Sequence, residues 1–344
     1  MKPDLLFSLL MIILYTGISC QNKNVEKKFT PVEIWNDTDG NPINAHSAGM
    51  LFHEGKYYWF GEYKKGKTRL VTELSWESYR VDAGGVSCYS SANLTEWKFE
   101  GIALAPDTTD SLNDLHTSKV LERPKVIYNE ATKKFVMWLH VDSEDYTYAR
   151  AGVAVSDKPA GPYSFIGSIR PNGQMSRDMT LFKDDDGKAY HIFSSEDNAV
   201  MHISMLTDDY LKPSGIENRI FIDKSREAPA MFKHLGKYYL ITSGCTGWSP
   251  NPAMLATADS ILGTWTELYN PCKGPKSDST FLAQSTFVLP VPGKPGKFIF
   301  MADRWNKTYL ADSRYVWLPI EIDGEHIRIR WRDEWELGPE SSSG

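Results

Sequence analysis

The stretch GKYYWFGE, residues 55–62, is the first of five segments that share one pattern, a polar turn followed by a strand rich in aromatic residues. The other four are KKFVMWLH (133–140), GKAYHIFSS (187–195), GKYYLITSG (236–244) and GKFIFMADR (296–304). Their starts lie about 50 to 80 residues apart, which is the spacing expected for the blades of a β-propeller. The repetition therefore predicts five blades.

A second repeated element lies between these strands, as SCYSSANLTEWKFEG (87–101), VAVSDKPAGPYSFIG (153–167) and LATADSILGTWTELY (255–269). Each copy has a strand, a turn rich in Ser, Asp, Gly or Pro, and a strand that opens on an aromatic residue. Helical periodicity is weak beyond the N-terminal apolar run, which disfavours βαβ architectures. We expect an all-β fold, a five-bladed β-propeller of four-stranded blades over residues 29–337, with its catalytic face at the central channel.

Four shorter segments are interpreted as connections or ends. Residues 64–84 and 107–118 are expected to be long loops over one face of the propeller. The DDDG run at 184–187 resembles a calcium loop in composition but lacks the remaining ligand positions, so it is expected to be a tight hairpin turn. Residues 338–344 are expected to form a flexible tail.

The N-terminus has the pattern of a targeting segment. An apolar run at residues 5–15 is too short to span a bilayer and has the shape of a signal-peptide core. Cys20 follows Gly-Ile-Ser, which resembles a bacterial lipoprotein cleavage site, although Gly17 and Asp4 depart from that pattern and plain secretion is the alternative. We expect a signal peptide at 1–20, a tether at 21–28, and a periplasmic or outer-membrane lipoprotein anchored through lipidated Cys20.

Charge and cysteine content exclude several classes of function. The net charge is -6 and the basic residues are interspersed, so nucleic acid is not an expected partner. Beyond Cys20 the chain has Cys88, Cys245 and Cys272, without the spacing of a disulfide framework or a zinc site. We expect no cofactor, no metal site and a monomer.

Four carboxylates stand where strands should meet the channel. Glu62 ends the first aromatic strand, and Glu122, Asp178 and Glu227 each precede an apolar strand that leads into the next aromatic one. The innermost strands of a propeller surround its channel, so acids in register at their ends should project into one pocket.

An alternative is that each of these acids pairs with the arginine beside it in sequence. The three candidate partners are Arg123, Arg177 and Arg226. Surface ion pairs of this kind are common and weak, and one such pair would carry no functional meaning. Three acids at corresponding positions in successive repeats favour a functional role over simple ion pairing.

Glycoside hydrolysis requires this kind of arrangement. An acid must protonate the leaving oxygen and, in an inverting enzyme, a base about 6.5 to 9.5 Å away must activate a water. The acid must stay protonated near neutral pH, which burial or a second carboxylate can bring about. Glu227 is the preferred acid because Ala228 and Pro229 place it at the start of a rigid, apolar strand, and Asp178 would orient it and raise its pKa.

Short motifs along nearly all of the mature chain resemble one family. They are NDTDGNPINAHSAG, YYWFGE, VSCYSS, ERPKVIYN, SRDMTLFKDDDG, EAPAMFKH, GWSPNP, AQSTFVLP, MADRW and SRYVWLPI. In order and spacing they resemble glycoside hydrolase family 43, and particularly its exo-β-1,3-galactanases. The resemblance implies a five-bladed propeller, inversion at the anomeric carbon, and stepwise release of galactose from the non-reducing end of β-1,3-galactan, the backbone of arabinogalactan.

The resemblance also implies roles for individual residues. Glu227 matches the general acid and Asp178 the residue that modulates it, while Glu62, Glu122 and Tyr146 match sugar-binding positions. Gln284, in AQSTFVLP, matches a glutamine that this group uses in place of a carboxylate base.

The GCTGWSPNP loop supplies two further candidates for sugar contact, Thr246 and Trp248. Trp305, in MADRWN, is a weaker candidate because packing explains it equally well.

The base is where the sequence departs from the wider family, which uses an Asp near the start of the first blade. Residues 44–49, Asn-Ala-His-Ser-Ala-Gly, contain no acid. A neutral amide is a poor proton acceptor, so Gln284 must act through an unusual tautomer or position the water, unless it only binds the sugar. His46 or Glu122 could share the role, and His46 could equally be a buried structural histidine.

Two other functions fit the same features. An exo-acting α-L-arabinofuranosidase, β-xylosidase or β-galactofuranosidase would share the scaffold, because fold does not select the sugar. A non-catalytic glycan-binding lipoprotein would also lack the N-terminal acid. The presence of both Glu227 and Asp178 favours catalysis, because binding alone does not require a buried proton donor.

Overall fold

Five antiparallel sheets surround one channel in a computed structural model that describes residues 28–338. In chain order the strands are β1 (His46–His53), β2 (Lys56–Lys64), β3 (Arg69–Val71), β4 (Ser78–Arg80), β5 (Ala83–Ser91), β6 (Lys98–Leu104), β7 (Val120–Asn129), β8 (Lys134–Asp142), β9 (Arg150–Ser156), β10 (Ser164–Ile169), β11 (Met179–Lys183), β12 (Ala189–Ser195), β13 (Val200–Leu206), β14 (Pro213–Ile220), β15 (Arg226–His234), β16 (Lys237–Gly244), β17 (Met254–Ala258), β18 (Thr266–Tyr269), β19 (Cys272–Lys273), β20 (Gln284–Pro290), β21 (Phe298–Arg304), β22 (Arg314–Asp323) and β23 (His326–Arg330). Three short 3₁₀ helices lie at Pro171–Gly173, Ser277–Leu282 and Leu310–Asp312.

The sheets are the five blades predicted from the repeats. Blades 1 to 5 have the strand orders β1-β2-β5-β6, β7-β8-β9-β10, β11-β12-β13-β14, β15-β16-β17-β18 and β20-β21-β22-β23-β19. The innermost strands β1, β7, β11, β15 and β20 contact one another in sequence, and β20 returns to β1, so the ring is closed. The all-β, five-bladed propeller expected from the sequence is confirmed.

The hydrophobic core is divided among the spaces between neighbouring blades. In β8 of blade 2, Val136 and Trp138 pack toward blade 3, whereas Met137 and Leu139 pack toward blade 1. Side chains of a strand alternate between its two faces, and both faces of a blade are covered here. This explains why the second strand of each blade, β2, β8, β12, β16 and β21, is an almost continuous apolar and aromatic run.

The structure differs from the predicted strands in two places. Blade 5 has a fifth strand, because the chain leaving blade 4 passes along its outer edge and β19 pairs in parallel with β23. Residues 64–84, expected to be a loop, contain the two-stranded hairpin β3–β4. Residues 107–118 contain no strand and residues 184–187 form the turn between β11 and β12, as predicted.

The first described residues close the propeller by joining the two ends of the chain. Phe29 and Trp335 exchange backbone hydrogen bonds of 2.8 and 3.0 Å, and their rings stack with centroids 4.3 Å apart. The Trp335 indole N–H donates to the carbonyl of Trp317 in β22. Blade 5 is thereby tied to the segment that leads into blade 1.

The expected signal peptide (1–20), lipidated Cys20, nearly all of the tether (21–28) and nearly all of the tail (338–344) lie outside the described residues. Among residues 28–338, no helix has the length and apolar character needed to cross a membrane.

We predict that Phe29→Ala destabilises the protein by roughly 3 to 5 kcal/mol, because Phe29 is buried and its loss leaves a cavity beside Trp335. Thermal and urea unfolding would measure the loss. The matched control is Phe52→Ala, because Phe52 is 40% exposed and should cost much less. Equal losses in the two variants would contradict a closing role for the N-terminal segment.

Candidate active site

A cavity of about 400 Å³ opens at one end of the channel, where the innermost strands begin. Its polar lining comes from consecutive blades, with Glu122 on β7, Asp178 immediately before β11, Glu227 on β15 and Gln284 on β20. The structure therefore brings together the three predicted catalytic residues, which are separated by more than a hundred positions in the sequence.

Three of the innermost strands share a backbone distortion close to the cavity. β1, β7 and β15 each have a bulge at the strand start, and the residues following His46, Glu122 and Glu227 adopt left-handed backbone angles. The φ values are 53° at Ser47, 51° at Arg123 and 55° at Ala228. A non-glycine residue in this region is strained, and such strain often accompanies functional sites. In β7 and β15 the bulge lets the strand pair normally while Glu122 and Glu227 turn into the cavity.

Arg123 connects four blades beneath the cavity. Its Nε lies 2.7 Å from Asp178 Oδ1, and its Nη2 donates to Gln284 Oε1 at 2.7 Å. Nη1 donates to the Ser285 carbonyl, and the Arg123 backbone N–H donates to Glu62 Oε1 at 3.1 Å. Sequence reasoning treated Arg123 only as a possible partner of Glu122.

The alternative in which each acid pairs with its adjacent arginine does not hold. Arg123 binds the acid of the next blade. Arg177 pairs with Asp197 at 3.1 Å, and Arg226 donates to the hydroxyl and the carbonyl of Thr242. The adjacent acids are thereby left to face the cavity.

Glu227 has the environment of a proton donor. Burial and then the negative charge of Asp178 raise its pKa to about 8, while Arg123 acts in the opposite direction. Asp178 Oδ2 also accepts the backbone N–H of Ala228 at 3.1 Å, which fixes the carboxylate beside Glu227. Glu227 is therefore protonated at neutral pH.

Gln284 is in direct contact with Glu227. Its Nε2 donates to Glu227 Oε1 at 2.9 Å and to Ser243 Oγ at 3.2 Å, and its carbonyl oxygen accepts the Arg123 hydrogen bond. Two donated hydrogen bonds from nitrogen and one accepted by oxygen match the ordinary amide tautomer. The arrangement holds the Glu227 carboxyl in a fixed position.

Glu122 belongs to a network that sequence reasoning missed in part. Its Oε1 accepts the Tyr146 hydroxyl at 2.9 Å, and its Oε2 lies 3.4 Å from His140 Nδ1. His140 Nε2 lies 2.8 Å from Asp142. Burial opposes a charge on His140, but hydrogen bonds to Asp142 and Glu122 raise its pKa to about 9. Burial likewise opposes the charge of Glu122, yet His140 and Lys64 lower its pKa well below the usual range.

Glu122, His140 and Asp178 each place one potential metal-ligand atom within 4.8 Å of the others. The donors are engaged in other contacts, since His140 is protonated between two carboxylates and Asp178 pairs with Arg123. A protonated imidazole has no free nitrogen lone pair for a metal. The group is better described as an ionic network that can bind sugar hydroxyls.

His46 and Glu62 lie beneath the cavity rather than in its lining. His46 is fully buried, and burial together with the charge of Lys64 lowers its pKa to about 3. Glu62 is 2% exposed and binds Lys64 Nζ at 2.6 Å. Direct contact with a sugar, as expected from the sequence, does not fit this burial, so both residues support the cavity floor.

Asp303, on β21, is a second protonatable carboxyl that the sequence did not single out. It pairs across the strands with Gln284 and accepts the Ser47 backbone N–H at 2.6 Å. Burial raises its pKa to about 7, and the charge of Glu62 adds to this. The only available signal was its position in the ADRW segment at the end of an aromatic strand.

Aromatic rings surround the mouth of the cavity. Trp248 and Trp305 both line it, with ring centroids 5.9 Å apart, and Tyr146 lines the opposite side. Trp76, from the hairpin that sequence analysis took for a loop, packs edge-on against Tyr146 at 5.5 Å. Thr246 stabilises the Trp248 loop by donating to the Ser249 carbonyl and is not in the lining.

Comparison with known proteins agrees with this geometry. Residues 73–280 match glycosyl hydrolases family 43. A solved family 43 β-1,3-galactosidase with galactodeoxynojirimycin is 47% identical, with a TM-score of 0.83 over 90% of this chain and 100% of that one.

Two exo-β-1,3-galactanase structures are also similar. That from Phanerochaete chrysosporium with β-1,3-galactotriose is 35% identical over 90% of this chain and 68% of its own, with a TM-score of 0.81. That from Clostridium thermocellum is 37% identical over 89% and 66%, with a TM-score of 0.78. Among the curated proteins compared with this chain, none matches it.

Three findings agree with one another: a family match over more than half of the chain, the same propeller at up to 47% identity, and a protonated glutamate beside an aspartate in the channel. The chain belongs to glycosyl hydrolases family 43 and is an inverting glycoside hydrolase.

Proposed function

We propose that this enzyme is an exo-β-1,3-galactanase that releases galactose from the non-reducing end of the β-1,3-galactan backbone of arabinogalactan. The observation that carries the proposal is the protonated Glu227 at the wall of a cavity that is ringed by aromatic side chains and rich in hydroxyl-binding groups. The similar β-1,3-galactosidase and exo-β-1,3-galactanase structures support galactose as the sugar.

Glu227 is the general acid of the proposed reaction. Its proton passes to the glycosidic oxygen as the bond to the anomeric carbon breaks, so the leaving galactan departs as an alcohol. Asp178 keeps the donor protonated by repelling the charge that would form on Glu227. Arg123 holds Asp178 in place through the ion pair at 2.7 Å.

Inversion requires a water on the face of the sugar away from Glu227. Gln284 positions the acid through its hydrogen bond to Glu227 Oε1. Glu122, ionised and located one blade beyond Asp178, is the carboxylate that can receive the proton of the water. His46, the other residue considered for this role, is buried beneath the lining.

We predict that Glu227→Gln lowers kcat on β-1,3-galactobiose by about 10²- to 10⁴-fold, the usual contribution of general acid catalysis, with little change in binding of the disaccharide. The loss should be smaller on an aryl galactoside, because a good leaving group needs less protonation. Steady-state kinetics on both substrates provides the measurement. The control Glu325→Gln, 85% exposed, should match the unmodified enzyme. An active Glu227→Gln enzyme would remove this residue from the mechanism.

The raised pKa of Glu227 predicts the basic limb of the pH profile. Only the protonated acid can donate, so kcat/KM should fall as the pH rises through about 8. In Asp178→Asn the repelling charge is gone, so the pKa of Glu227 falls and the basic limb moves to lower pH. Asp185→Asn, at an exposed turn, is the matched control and should leave the limb unchanged. An unmoved limb in Asp178→Asn would contradict the modulating role.

The sugar and the stereochemistry can be tested together on debranched arabinogalactan followed by proton NMR. We expect galactose as the first product, appearing initially as the α-anomer because the β-linkage is inverted. Release of arabinose or xylose would favour the other activities on this scaffold. Initial release of β-galactose would overturn the inverting mechanism.

A further inference from the structure

The hairpin formed by β3 and β4, residues 69–80, stands beside the active-site cavity as an insertion in blade 1. We call it the blade-1 hairpin. Its tip carries Trp76, which is 41% exposed and lines the cavity. A large aromatic side chain held open to solvent at a cavity wall is not explained by core packing.

The blade-1 hairpin is fixed to blades on both sides. On one side Arg69 Nη2 binds Glu144 at 2.9 Å, and the Arg80 guanidinium lies 5.4 Å from the centroid of the Tyr146 ring. On the other side Glu77 binds Lys307 of blade 5 at 2.6 Å. The blade-1 hairpin therefore contacts the neighbouring blades along both of its edges.

The blade-1 hairpin also contacts blade 5 and blade 4. The Leu310 backbone N–H donates to Thr68 Oγ1 at 2.9 Å at the base of the hairpin. Tyr79 lies edge-on to Trp248, with ring centroids 6.4 Å apart, and Lys307 lies 5.6 Å from the Tyr79 ring. The blade-1 hairpin thus spans part of the cavity mouth.

The position of Trp76 relative to Glu227 indicates which side of the cavity the blade-1 hairpin covers. Glu227 on blade 4 protonates the glycosidic oxygen, so the leaving galactan extends from the blade 4 side. Trp76 packs against Tyr146, whose hydroxyl binds Glu122 of blade 2, so it stands across Asp178 from the acid. If the anomeric carbon of the terminal galactose lies beside Glu227, its oxygen O3, where a longer chain would continue, is directed toward the side of the cavity where Trp76 stands.

We propose that the blade-1 hairpin, through Trp76, closes the cavity beyond the terminal galactose and thereby restricts the enzyme to exo action. The inference rests on the proposed galactanase function and adds the residue that determines where along the chain cleavage occurs. A galactosyl unit or a smaller substituent on O3 of the terminal sugar would collide with the indole ring.

The test compares β-1,3-galactotriose with the same triose carrying a 3-O-methyl group on its non-reducing end. The unmodified enzyme should hydrolyse the free triose and discriminate against the blocked one. Trp76→Ala should raise kcat/KM on the blocked triose by about 10- to 100-fold, since one methyl group in a pocket has an effect of this size. The ratio of kcat/KM on the blocked triose to kcat/KM on the free triose should therefore rise, and this ratio is the readout for Trp76→Ala.

Two further variants test whether the effect of Trp76→Ala comes from the indole ring itself or from a general disturbance of the hairpin. Leu70→Ala is the matched control, because Leu70 lies on the same hairpin, is 46% exposed and does not line the cavity. It should behave as the unmodified enzyme on both trioses. Glu77→Ala removes the tie to Lys307 without altering the lining, and should raise activity on the blocked triose less than Trp76→Ala does. Melting temperatures confirm that each variant is folded.

The outcomes distinguish this inference from the proposed function. An unmodified enzyme that releases no galactose from the free triose would overturn both. If the unmodified enzyme is active and folded Trp76→Ala still rejects the blocked triose, the wall is overturned and the galactanase function stands. If Trp76→Ala loses kcat on the free triose without gaining on the blocked one, Trp76 binds the terminal sugar and is not a wall.

Discussion

The active site depends on one buried cation, the Arg123 guanidinium. It binds Asp178 of blade 3, Gln284 and the Ser285 carbonyl of blade 5, while its backbone N–H binds Glu62 of blade 1. A buried guanidinium is stable only when its donors are satisfied, and here the acceptors come from blades that share no strand pairing. The hydrogen bonds and the ion pair that satisfy the guanidinium therefore also fix the catalytic groups relative to one another.

The carboxyl groups of the cavity differ in charge. Burial and the negative charge of Asp178 keep Glu227 protonated, and Arg123 holds Asp178 in place although its own charge acts on Glu227 in the opposite direction. Glu122 has the opposite environment, because protonated His140 and Lys64 hold it ionised despite burial. Two carboxyl groups on alternate blades thus differ in protonation at the same pH, which is the condition for separate acid and base roles in one reaction.

The propeller provides these groups with a rigid and repeated support. Each blade is packed on both faces, and the left-handed bulges at Ser47, Arg123 and Ala228 are held by the strands that follow them. Strained backbone persists only where its surroundings determine it, and the closed ring does so from both sides. The blade-1 hairpin is an insertion outside the four-stranded blade. Its residues can therefore change without moving the general acid Glu227.

The sequence by itself determined the repeated strands, the number of blades and the acids that begin the inner strands, because strand alternation and turns are local properties of the chain. Glu227 and Asp178 could be placed together once the ring was inferred, and the family resemblance added Gln284. Only the tertiary structure decided that Arg123 binds the acid of the next blade, that His140 lines the site, and that His46, Glu62 and Asp303 lie beneath it. It also decided that residues 69–80 form a hairpin beside the cavity. Contacts between blades depend on side-chain directions set by bulges and by ring closure, and neither is encoded in a short stretch of sequence.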